Sequence, residues 1–87
     1  MQRNQPQAPL NEEEQLLRDV VMEVMPALDR NVDYTSAQIL PPELWASLAD
    51  GARRSIGRTL SRLVEQGLVP LVRTSPPYKM PVTYQRS

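Results

Sequence analysis

Residues 50–67 read Asp50-Gly51-Ala52-Arg53-Arg54-Ser55-Ile56-Gly57-Arg58-Thr59-Leu60-Ser61-Arg62-Leu63-Val64-Glu65-Gln66-Gly67, and their spacing decides the fold. At 100° per residue, Ala52, Ile56, Leu60, Leu63 and Val64 share one stripe, whereas Arg54, Arg58, Ser61, Arg62 and Glu65 share the opposite side. This predicts an amphipathic helix over 51–66 with a basic outer face. Asp50 suits the N-cap, where a carboxylate accepts first-turn N–H groups, and Gly67 suits a left-handed stop. Gly57 weakens the helix by about 0.5–1 kcal/mol relative to alanine. Its presence in mid-helix predicts close packing against another helix.

Upstream, residues 1–10 are Gln-, Asn- and Pro-rich with little to bury, and are expected to form a disordered tail. Asn11 followed by Glu12, Glu13 and Glu14 places a cap before three carboxylates, with Glu14 at the capping-box position. The helix that follows carries Leu16, Leu17, Val20, Val21, Val24 and Leu28 on one side. Pro26 ends it near Val24 or restarts it as a short turn. Met22 and Met25 lie off this stripe or at its margin, which offers helix 11–25 as a homodimer contact. Val32 to Tyr34 reads as an edge strand, and Thr35 or Ser36 caps a short helix through Leu40. Pro42-Glu43 opens another, with Leu44, Trp45 and Leu48 facing inward and Trp45 expected in the core.

Downstream the period changes. Residues 68–72 read as a short apolar strand and 73–77 as a turn. Residues 78–84 alternate with Met80, Val82 and Tyr84 on one face, which predicts a second strand. Pro70 and Pro81 each delete a ladder donor, so both must face away from a partner strand or sit at a bulge. Residues 85–87 are expected to fray.

With 87 residues the chain makes one small domain, burying little more than roughly 60% of its unfolded surface. Without cysteine or histidine it lacks disulfides, thiolate nucleophiles, zinc-finger ligand sets and the usual neutral-pH proton shuttle. No run suits a membrane span or a signal peptide, so a cytoplasmic protein is expected. Net charge is zero, but residues 1–50 hold three basic against nine acidic residues, and 51–87 hold seven basic against Glu65 alone. A basic half concentrates near a polyanion because screening over about 8 Å hides the distant acidic half.

The element order over 11–84 resembles the winged helix-turn-helix family, an α+β fold of three to four helices followed by a two-stranded β-hairpin wing. The run Ile56 to Val69 looks like that family's second helix passing through a terminal glycine into the wing. The pattern Trp45-x-x-Leu48-x-x-Gly51-x-Arg53-x-x-Gly57-Arg58 is similar to a group of small bacterial proteins of undefined function. The chain departs from that group in lacking an Asn-rich segment before the last strand.

The resemblance implies double-stranded DNA binding by a small transcriptional regulator, with the second helix in the major groove. On that reading Arg54 and Arg58 meet base edges, Ser61 and Arg62 add a polar contact and a phosphate clamp, and Arg53 meets backbone phosphate at the flank. Arg73 and Lys79 flank a proline-stiffened wing tip suited to backbone or minor-groove contact. The alternative is a protein-interaction module on the same fold, whose acidic N-terminal half meets a partner. With no metal-ligand spacing, phosphate-cradling glycine loop or paired nucleophile, neither catalysis nor a cofactor or small-molecule ligand is expected.

Overall fold

In the computed structural model, which describes residues 10–87, four helices precede a two-stranded antiparallel hairpin. The fold is α+β and compatible with a small winged helix. Helix α1 (Glu12–Val24) starts with the capping box legible in its sequence: Asn11 Oδ1 accepts from the Glu14 N–H at 2.8 Å, and Glu14 Oε1 accepts from the Asn11 N–H at 2.9 Å. A single 3-10 turn, Met25–Ala27, follows where Pro26 denies the helix a donor. Helix α2 (Ser36–Ile39) has Thr35 as its cap, α3 (Pro42–Ala46) opens on proline, and α4 (Asp50–Glu65) is the long helix of the C-terminal half.

The stop of α4 is a Schellman turn. Gly67 takes φ +71°, the Leu68 N–H reaches the Leu63 carbonyl at 2.9 Å, and the Gly67 N–H reaches that of Val64 at 3.1 Å. The start differs from expectation. Ala49 is the N-cap and Asp50 the first helical residue, its carboxylate 3.8 Å from Arg53 Nη1 one turn on. An acid there still meets the positive end of the helix dipole.

The core gathers Leu17, Val21, Met25, Leu28, Ile39, Leu40, Leu60, Leu63, Val69, Leu71 and Tyr84. Three expectations are corrected here. Met25 is buried, whereas Leu16 is 59% exposed, because α1 turns its Leu17–Val21 line toward α4 and leaves Leu16 at the flank. Trp45 is only half-buried, since α3 is little more than one turn long and sits at the margin. Tyr84, 1% exposed, supplies the aromatic volume instead.

Strand β1 (Leu71–Arg73) pairs with β2 (Tyr84–Arg86) in the register Leu71↔Arg86, Val72↔Gln85, Arg73↔Tyr84. Both strands are shifted from their expected positions for one reason. Pro70, Pro77 and Pro81 have no N–H to donate, so pairing is confined to stretches free of proline. Gln85 and Arg86 therefore form the ladder rather than fraying, and the Ser87 N–H reaches the Pro70 carbonyl at 3.0 Å. Tyr34 and Tyr84 exchange two backbone hydrogen bonds of 2.8 Å, so the segment expected as an edge strand meets β2 through an isolated bridge at Tyr34 and forms no strand of its own. The expected tail falls outside the described residues except for Leu10, which packs against the core. No described helix is long and apolar enough to cross a membrane.

Candidate nucleic-acid interface

Where α4 turns its outer face toward the segment leading into β2, a groove of about 780 Å³ opens. Arg54, Arg58 and Arg62 stand along one side, Met80, Pro81 and Val82 along the other, and Trp45 and Tyr84 contribute apolar surface. The N-terminal turn of α2, Thr35 to Ala37, closes one flank. Two contacts hold the groove's shape. The Ser61 and Tyr84 hydroxyls lie 2.7 Å apart, linking α4 to β2, and the Arg53 guanidinium lies over the Trp45 ring at 5.5 Å from its centroid.

The seven side chains expected at nucleic acid divide into two sets. Arg54 and Arg58 are exposed, one turn apart, and make no hydrogen bond or ion pair with any described residue. Lys79 is exposed at the wing tip, and among described residues its ammonium is likewise free. The other four are engaged within the molecule. Arg53 Nε donates to the Trp45 carbonyl at 3.1 Å, so stacking and backbone hydrogen bonding hold it against α3. Arg62 Nη2 donates to Thr59 Oγ1 at 3.4 Å and lies 3.8 Å from Glu14 Oε2, bridging α4 to α1.

Ser61 is half-buried with its hydroxyl engaged by Tyr84, and is a structural tie rather than a free polar group. Arg73 curls into its own loop: Nε donates to the Ser75 carbonyl at 3.3 Å, and Nη2 to those of Pro76 and Pro77 at 3.3 and 3.4 Å. It staples the wing instead of flanking its tip. The reason is chemical. Three prolines leave this loop rich in carbonyls with no donors of their own, and a guanidinium offers five N–H groups in a planar fork. With Thr74 and Thr83 joined by backbone and side chain, the loop presents Tyr78 and Met80 outward at 88% and 76% exposure.

Gly57 does not pack against another helix. A Cβ placed there meets nothing within 4 Å, and the residue faces the groove. A lone glycine reads as close approach in general, but here the space beside it is open. The sequence did not signal that Trp45, Tyr84 and the α2 turn line this groove, because they reach it from three separate elements. Among the described residues no cluster of His, Cys, Asp and Glu is placed to hold a metal. Comparison of the chain with protein-family models, curated proteins and solved structures returns no match.

Proposed function

We propose that this domain binds double-stranded DNA through the outer face of α4, as a winged helix-turn-helix protein acting in transcriptional regulation. The observation that carries the reading is the pair Arg54 and Arg58, exposed on consecutive turns and spared from internal contacts. An unengaged guanidinium fork matches guanine O6 and N7 at about 1–3 kcal/mol of discrimination per contact. Gly57 between them lets a duplex backbone come close, and Lys79 adds a charge on the wing. The domain is read as a binding module rather than an enzyme, with a cytoplasmic location as the corollary.

A fluorescence anisotropy titration with a labelled duplex tests this. Binding is expected at low salt and weakens as salt rises, by a log–log slope of about −0.9 for each cation that meets phosphate. No duplex binding at low salt, or binding indifferent to Arg54→Ala plus Arg58→Ala, overturns it. Of the two methionines that offered helix 11–25 as a homodimer contact, Met25 is in the core, and the exposed large apolar residues of α1 are Met22 and Leu16. DNA contact by α4 needs no second copy.

A further inference from the structure

A second concave surface lies between α1, α3 and α4. Leu16, Leu17, Val20, Leu44 and Ile56 form its walls, Glu12 and Glu13 its rim, and no lysine or arginine lines it; its volume is about 610 Å³. It shares no residue with the basic groove. Leu16 and Val20, one turn apart on α1, make an apolar rail that is half open to solvent at Leu16. Along α1, Glu12, Glu13, Asp19 and Glu23 make no ion pair with a described residue, Glu14 lies 3.8 Å from Arg62, and the helix's one cation, Arg18, turns its Nε to the Leu68 carbonyl at 3.1 Å.

We infer that this groove docks an amphipathic helix of a partner protein, one with Lys or Arg beside its apolar stripe. The i, i+4 rail is the ridge that an apolar helix face meets when it lies in a groove. Charge then selects among occupants. A duplex is repelled by the carboxylate rim. A second copy meeting the groove about a two-fold axis sets Glu12 and Glu13 close to their own counterparts. The chain's own basic helix is no substitute, because the apolar stripe of α4 is already spent in the core. A basic helix satisfies both rail and rim, the apolar contact supplying affinity and the charges steering encounter. This inference stands without DNA binding by α4.

The test is an NMR titration of the ¹⁵N-labelled full chain with two synthetic helical peptides of about 18 residues. Both carry Leu at i, i+3, i+4 and i+7, and the remaining positions are Lys in one and Glu in the other. The Lys peptide is expected to shift amides over 12–20 and near Leu44 and Ile56, and the Glu peptide to shift none. Leu16→Ala, an exposed position that leaves the fold intact, is expected to weaken the Lys peptide about tenfold. Glu12→Gln plus Glu13→Gln weakens it and flattens its salt dependence, while duplex affinity in both variants does not fall. Shifts scattered over the molecule, or equal Lys-peptide affinity for wild type and Leu16→Ala, overturn the inference. A concentration-dependent mass that Leu16→Ala abolishes assigns the groove to a second copy, and overturns it as well.

Discussion

The outer face of α4 and the wing carry the same positive charge and put it to different use. On α4, Arg54 and Arg58 make no hydrogen bond or ion pair with any described residue, a regular helix consuming its own backbone acceptors. In the wing, prolines interrupt the ladder and supply carbonyls but no donors, and Arg73 turns back to three carbonyls, those of Ser75, Pro76 and Pro77, of which only that of Pro76 also accepts a backbone N–H, from Lys79. A guanidinium is therefore available to a ligand where the local backbone is already satisfied, and becomes a fastener where it is not. Arg62 marks the boundary between the two cases, since α4 frees it from its own carbonyls but Glu14 of α1 lies within reach.

The sharpest way to break this contrast is Arg54→Ala plus Arg58→Ala. Duplex affinity is expected to fall about a hundredfold, roughly 2.7 kcal/mol, while the thermal midpoint stays put, because neither side chain holds the fold together. A midpoint that drops by several degrees would show that these arginines are structural after all. Arg73→Ala is expected to do the reverse, costing about 1 kcal/mol of stability. It should accelerate amide exchange in residues 74–83 and leave the salt slope of duplex binding unchanged; a shallower slope would return Arg73 to the interface. Gly57→Ala separates the two roles within α4. It stabilises the helix by about 0.5–1 kcal/mol, since nothing within 4 Å opposes a Cβ, and duplex binding weakens as that methyl enters the groove. Unchanged affinity would mean that no ligand backbone approaches there. Lys79→Ala has the smallest effect, a salt slope reduced by about 1 with no change in melting.

Features fixed by neighbours in the chain were legible from the residues alone. The Asn11–Glu14 capping box, the break at Pro26 and the Gly67 stop each depend on contacts within five positions, and each stands as read. The strand positions were not legible, because strands of three residues show no usable alternation and proline placement overrode the pattern over 78–84. The fate of each arginine was legible only in part. Helical spacing separated the outer face from the core, but whether a guanidinium stays free depends on acceptors far along the chain: Arg18 meets Leu68, Arg62 meets Glu14 and Arg86 meets Leu28. Leu16 shows the same limit from the apolar side, since a wheel gives the stripe but not which edge of it the neighbouring helix covers.

Tyr84 joins pieces that local forces would leave apart. Its backbone closes on Tyr34, fifty positions earlier, its ring fills the interior, and its hydroxyl meets Ser61 on the long helix. Loop-closure entropy must be met before any of these contacts forms. Once docked the ring couples ribbon and rod, and the two should melt in a single cooperative transition rather than one opening while the other persists.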